Sequence, residues 1–242
     1  MSDYVVKENS SIDQEELNKF SKTYQEWWDL EGEFKPLHAI NPLRIEYINS
    51  LINKHFANRQ GLNLIDIGCG GGLVCVPMYE SGLKVTGLDA NEHNIKAANS
   101  HAKCNELNIE YIHNTVEDYI KLGKTYDVVL CLEVIEHVAN PGEFVQNISK
   151  LVAHGGIMLF STINRTPKAY FLAVIMAEYV LRWVPQKTHD YSKFIKPSEF
   201  VHMLKDTGFS LQELTGMSLS PITQNWYLSD DIDVNYFAVF SQ

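Results

Sequence analysis

"NLIDIGCGGGLVCVP", residues 63–77, runs from a short apolar stretch into four glycines among five residues. The apolar part reads as a strand covered on both faces, since it lacks a polar alternation. The glycines abandon side chains where that strand hands over to the next element. A tight strand–helix turn is one reading. The other is a ligand reached by bare backbone N–H groups, which any Cβ would exclude. The spacing is informative: Asp66, Gly68, Gly70 and Gly72 spell D-x-G-x-G-x-G. A dinucleotide fingerprint would place its third glycine where Leu73 stands.

Working outward, short apolar runs recur at 62–67, 84–88, 109–113, 127–132 and 156–161, each followed by a segment of helical period. That alternation predicts a parallel sheet with helices on both faces. Runs at 209–215 and 235–240 lack a crossover helix between them and read as an antiparallel pair closing one edge. The expected fold is therefore α/β, doubly wound around a mostly parallel seven-stranded sheet. Residues 1–60 read as an N-terminal helical cap and 61–242 as the main domain. In the cap, Ser11 and Gln14 suit a capping box, with Leu17, Phe20, Tyr24 and Trp27 at helical spacing. Asn41 and Pro42 read as the start of a second helix carrying Leu43, Tyr47, Ile48 and Leu51.

Residues 165–196 are too long and too apolar for an ordinary connection. They read as a helical insertion. The run Ala169–Ala177 is wholly apolar but shorter than the ~20 residues a spanning helix needs. On a helix over 168–186, Lys168, Glu178, Arg182 and Gln186 fall on one stripe, with Tyr170, Tyr179 and Trp183 as interface anchors. A substrate lid and a membrane-contacting helix are both open at this point.

Composition bounds the function. The chain of 242 residues is 45% hydrophobic and 21% charged, with a formal net charge of −10. That charge argues against a nucleic-acid binder, whose phosphate contacts need a basic face. Cys69, Cys75, Cys104 and Cys131 form no C-x-x-C pair and have no zinc-finger histidines. They read as small buried hydrophobes in a reducing compartment. The N-terminus has neither a signal core nor transit character, so a cytoplasmic bacterial protein is expected.

Asp89 closes the second strand in "KVTGLDA", where a carboxylate can accept both hydroxyls of a ribose. With D-x-G-x-G-x-G, "NTVED" around Val116 and Glu117, "YDVVLCLEVIEHV" and "LVAHGGIMLFS", the pattern resembles the class I S-adenosylmethionine-dependent methyltransferases. The resemblance implies that the glycines make room for the methionine part of the donor, with Gly68, Gly70 and Asp89 binding it. No D/N-P-P-Y-type tetrapeptide follows the fourth strand and no Pro-Cys dipeptide exists, so a small-molecule acceptor is expected rather than nucleic acid.

"WWDLEGEFKPLHAINPLR", residues 27–44, together with "TINRTPKAYFLAVIMAEYVLRWVPQKTHDYSKFIKP" and "DVNY", closely resembles the ubiquinone-biosynthesis O-methyltransferases over nearly the whole chain. Ala39 and Leu132 are conservative departures. The resemblance implies S-adenosyl-L-methionine as cofactor. It also implies methylation of phenolic hydroxyls on polyprenylated catechol-type precursors, of the 3-demethylubiquinol and 2-polyprenyl-6-hydroxyphenol kinds, at two pathway steps. A substrate that resides in the bilayer favours peripheral contact with membrane lipid at the inner face of the cytoplasmic membrane, and a ubiquinone-biosynthesis complex is a further partner. Methylation of another small hydrophobic phenol or quinone, or a non-catalytic donor-binding subunit, are the alternatives.

The same resemblance gives Arg44 to the donor's carboxylate and Leu132 to packing on the donor. Glu133, Glu136 and His137 would share one face if a helix started at Glu133. Metal-dependent members of the family carry matching residues, so a divalent cation (Mg or Zn) is one expectation there. His137 acting as the catalytic base is the other. Trp27 and Trp28 read as core staples or acceptor-ring platforms. His38, His189 and Asp190 are further acid–base candidates that equally suit the surface.

Overall fold

The computed structural model describes residues 13, 27–57, 60–180, 188 and 190–242, without the side chains of 178–180. The capping box at Ser11 and Gln14, and Leu17, Phe20, Tyr24, Arg182, Trp183, Gln186 and His189, lie outside the described residues.

Among the described residues the sheet has eight strands in the order β3-β2-β1-β4-β5-β8-β6-β7. They are β1 Asn63–Ile67, β2 Lys84–Asp89, β3 Glu110–His113, β4 Tyr126–Leu132, β5 Val152–Ile163, β6 Ser210–Leu219, β7 Trp226–Ser229 and β8 Asn235–Ser241. The first five pair in parallel. β8 inserts antiparallel between β5 and β6, as the missing crossover helix predicts. β7 is the strand beyond the expected seven. It pairs antiparallel with β6, Trp226 opposite Leu219 and Ser229 opposite Gly216. Only four residues long, it offers too short a run for a periodic pattern.

Side chains alternate to two cores. From β4, Val128, Leu130 and Leu132 meet Ile48 and Leu51 of helix α1 (Lys35–Phe56), whereas Val129 and Cys131 meet Phe144 and Ile148 of α5. The other helices are α2 Cys75–Glu80, α3 Glu92–Cys104, α4 Val116–Tyr119, α5 Pro141–Ser149, α6 Pro167–Ala169 and α7 Pro197–Met203. Each fully buried aliphatic side chain contributes roughly 1.5–3 kcal/mol relative to exposure. Both faces are needed to hold the sheet.

Two boundaries differ from expectation. Helix α1 starts at Lys35, with Pro36 rather than Pro42 in its first turn. Pro42 sits inside the helix, and Asn41, instead of capping it, donates from Nδ2 to the Leu73 carbonyl at 2.7 Å. The second difference follows β4. No α-helix starts at Glu133: that residue has φ +56°, in the left-handed region, and only a 3₁₀ turn follows at Ile135–His137. In the insertion, α6 runs on as a π-helix over Tyr170–Val180.

Candidate active site

A cavity of about 1110 Å³ opens at the carboxyl ends of the parallel strands, where the order reverses between β1 and β4. One end is polar, lined by Asp66, Asp89, Asn91, Asn94 and Asn114. The other is apolar, lined by Leu172, Met176, Met217, Leu219, Pro221 and Trp226. Arg44, Leu132, Glu133, Glu136 and His137 lie in the same lining.

The glycine turn shapes the polar end. Gly68 (φ +73°) and Gly70 (φ +54°) adopt left-handed backbone that costs other residues strain. Their missing side chains leave room for packed protein. A Cβ on Gly68 would strike Val134, and one on Gly70 would come within 2.5 Å of Trp27. The Gly68 N–H donates to the Leu88 carbonyl at 2.7 Å, tying the turn to β2.

Asp89 is buried beside that turn and accepts from the Gly70 N–H at 2.9 Å and the Asn91 N–H at 2.7 Å. Burial raises its pKa, and these two N–H bonds, with Asn94, pull it back. It lines the cavity and a carboxylate can accept further hydrogen bonds, so ribose recognition is chemically open to it. Thr115, Val116 and Glu117 also line the cavity, after β3. Leu132, at the end of β4, is 8% exposed and forms part of the wall.

Arg44 is carried on the buried stripe of α1 with Ile40, Tyr47, Ile48 and Leu51. Its Nη2 lies 3.1 Å from Glu133 Oε1, which also accepts from Ser161 Oγ at 2.7 Å. Arg44 Nε is buried without a hydrogen-bond partner. An orphan guanidinium N–H at a cavity wall is a ready donor for an anionic ligand group.

The left-handed turn breaks the expected helical face. Glu133 turns to Arg44 and Ser161, while Glu136, 4% exposed, accepts from Thr162 Oγ1 at 2.9 Å. Among the described residues no three His, Cys, Asp or Glu side chains are assembled as a metal-binding group. The donor chemistry nevertheless suits a hard cation: two carboxylates and an imidazole in one cavity wall. Burial, and then repulsion by Glu133, push the Glu136 carboxyl up to about 7. A cation would relieve both.

The tryptophans serve the strap ahead of α1. Trp27 stacks on Phe34 at 3.7 Å and donates to Asn94 Oδ1 at 3.1 Å. Trp28 donates to the Gly71 carbonyl at 3.0 Å and stacks on His101 at 3.4 Å. The ring of His38 bonds the Trp27 carbonyl through Nε2, and Asp190 accepts from the Ser192 N–H at a 3₁₀ turn. Sequence reasoning missed the cavity role of Trp226 and the polar side chains Asn91 and Asn94.

A family model described as a methyltransferase domain matches residues 15–214. Among solved structures, the magnesium protoporphyrin IX methyltransferase of Synechocystis with bound SAH aligns with a TM-score of 0.65 at 19% identity, over 92% of this chain and 94% of that one. A plantazolicin methyltransferase with SAH and a desmethyl analogue aligns at 0.61 and 16%, over 94% and 98%. Both share the fold. Fold, glycine turn and family match define a class I methyltransferase.

Curated relatives narrow that class. A ubiquinone biosynthesis O-methyltransferase of Rickettsia felis is 50% identical over 228 residues, 94% of this chain and 93% of the relative. Its counterpart in Rickettsia akari is 49% identical, over 94% and 91%. The chain belongs to the ubiquinone biosynthesis O-methyltransferase family.

Proposed function

We propose that this protein transfers the methyl group of S-adenosyl-L-methionine to phenolic hydroxyls of polyprenylated catechol-type precursors in ubiquinone biosynthesis. The observation that carries this reading is one cavity with a polar end built around Asp89 and the glycine turn and an apolar end beside β7. Family membership supports the acceptor class.

In this reading Asp89 accepts the ribose hydroxyls, Gly68 and Gly70 bring backbone against the methionine part, and Leu132 packs on the donor. Arg44 offers its spare Nε–H to the donor's carboxylate. In-line placement of sulfonium methyl and oxygen can contribute up to about 7–11 kcal/mol in the most favourable cases. The acceptor oxygen must also lose its proton, since a phenol has a pKa of about 10 by analogy with tyrosine. His137, an imidazole in the cavity wall, is the group that would take it without a metal. In the alternative route a divalent cation, Mg or Zn, held by Glu133, Glu136 and His137 would lower the hydroxyl pKa when bound, with His137 a ligand and not the base.

The apolar substrate suggests where the protein works. Tyr170, Phe171 and Leu172 on the insertion are exposed by 45%, 54% and 41%, and Leu172 lines the cavity. No helix among the described residues is long and apolar enough to cross a membrane. We assign the insertion to contact with the lipid surface from the cytoplasmic side, where a ubiquinone-biosynthesis complex would also meet it.

Product mass spectrometry after incubation with donor and a panel of demethylated quinols and catechols tests the function. A gain of one methyl on the phenolic oxygen is expected. Donor binding without methylation of any phenol would leave a non-catalytic donor-binding subunit.

A further inference from the structure

The proposed acceptor has two parts, an electron-rich ring and an apolar chain, and the catalytic groups named above handle only the reacting oxygen. The ring still needs a wall to lie on. Trp27 is spoken for: it packs over Gly70 and Gly71, stacks on Phe34 and donates to Asn94 at the donor end. Trp28 is held by His101 and the Gly71 carbonyl.

β7 lies at the other end. It is the strand added to the seven that the fold requires, and it packs against α1, the helix that carries Arg44. Its first residue, Trp226, is half-buried. It packs on the core that contains Ile40, Met217 and Phe237, and it also faces the cavity. Its neighbours in the wall are Met217, Leu219, Pro221 and Tyr227. The chain carries no Asp, Glu, Lys or Arg from Leu214 through Ser229. A strand and turn without charge, presenting an indole to a cavity, suit a flat aromatic ligand, and Lys168 and Asp231 in the same lining are paired with each other.

We propose that Trp226 is the specificity residue that receives the acceptor's aromatic ring, and that β7 is retained to present it. The inference rests on the phenolic-acceptor reading and deepens it. Packing on the core fixes the indole, so a ring stacked on it has its reacting oxygen directed rather than free to turn. The side chain of the acceptor would then leave past Leu172 and Met176, which line the same cavity.

The test compares wild type with Trp226→Ala, Trp226→Leu and Trp226→Phe. Trp226→Leu keeps an apolar side chain and loses the ring, so it serves if Trp226→Ala fails to fold. Steady-state kinetics are run with catechols bearing short and long prenyl chains. Calorimetry measures donor affinity and, in the presence of S-adenosylhomocysteine, the affinity for an unreactive catechol ether. Loss of the ring should raise acceptor KM roughly ten-fold through lost stacking and burial. Donor affinity should stay within about three-fold, because the donor does not depend on that stack, whereas kcat should fall as the reacting oxygen loses its orientation. Trp226→Phe should recover most of the loss, and the penalty should be equal for both chain lengths. An unchanged KM for Trp226→Leu overturns the assignment, as does a penalty that grows with chain length or falls equally on the donor. The two readings separate in the binding experiment: a wild type that binds the catechol ether through Trp226 without turning over any phenol defeats the function and leaves the ring site standing.

Discussion

Arg44, buried, and Glu133, half-buried, form an ion pair, 3.1 Å between Nη2 and Oε1, that joins helix α1 to the end of β4 in the cavity lining. Their side chains are 7% and 19% exposed, so little solvent screens the pair. Arg44→Ala should abolish donor binding and destabilise the fold by about 3–5 kcal/mol, the range for breaking a buried pair from one side. Arg44→Lys keeps the charge but loses the fork, and should fold while binding the donor more weakly. Chemical denaturation and donor calorimetry on the two variants distinguish these effects.

At the glycine turn, Gly68 and Val134 compete for one space. Gly68→Ala should lower both stability and donor affinity, and Gly68→Val should abolish binding. Adding Val134→Ala to Gly68→Ala should return part of the stability, because the clash is removed while the left-handed backbone remains strained. A double variant no more stable than Gly68→Ala would place the whole cost in the backbone. Asp89→Ala, which strips the Gly70 and Asn91 N–H groups of their acceptor, should weaken the donor by about 1.5–3 kcal/mol per lost charged hydrogen bond.

Glu133, Glu136 and His137 separate two routes to the phenolate. If a cation is required, EDTA should stop turnover, Mg or Zn should restore it, and Glu133→Ala should be nearly as damaging as His137→Ala. Simple base catalysis predicts indifference to EDTA and a loss dominated by His137→Ala. The expected result is chelator sensitivity. Full activity in EDTA with metal analysis of the purified protein empty would refute it.

Asp66 is buried under the turn, and desolvation pushes its carboxyl up to about 7. The folded state therefore holds a proton that the unfolded chain, with an ordinary pKa of about 3.9, has released. Between those values stability should fall as pH rises, then level off above pH 7. Glu136, also raised to about 7, acts in the same direction. Asp66→Asn should flatten the slope and be more stable relative to wild type at pH 8 than at pH 4. Denaturation midpoints across this range give the answer. An identical pH profile in the variant would show that Asp66 is ionised throughout.

For the insertion, co-sedimentation with phospholipid vesicles should show wild type bound and Phe171→Glu released. Both residues beside it, Tyr170 and Leu172, share its exposure, so the single charge acts within an apolar patch. Equal partitioning of the two proteins would leave the insertion as a lid over the cavity.

The seven strands read as apolar runs, the antiparallel closing pair and the glycine turn were all legible in the chain, because each is a local fact. Strand burial writes itself as an uninterrupted apolar run, and a left-handed turn whose Cβ would strike a packed neighbour, as at Gly68 and Gly70, calls for glycine. Asp89 was legible for the same reason: it is the last residue of a recognisable strand. Arg44 could be tied to the donor only through family resemblance, since one arginine on a helix is ordinarily solvated. Its buried partnership with Glu133 needed two distant segments to meet. The expected Glu133–Glu136–His137 face failed because helical spacing was assumed where the backbone is left-handed. The Glu133 N–H bond to the Ser161 carbonyl at 3.0 Å and its side-chain contacts with Ser161 and Arg44 hold it there. The helix start moved from Pro42 to Pro36 because both prolines suit a first turn and only packing chooses between them. β7, too short for periodicity, exists because β6 offers it an edge. The sequence by itself determined the sheet and the turn, through local sterics and burial; which side chains face one another across the cavity was decided by tertiary contacts.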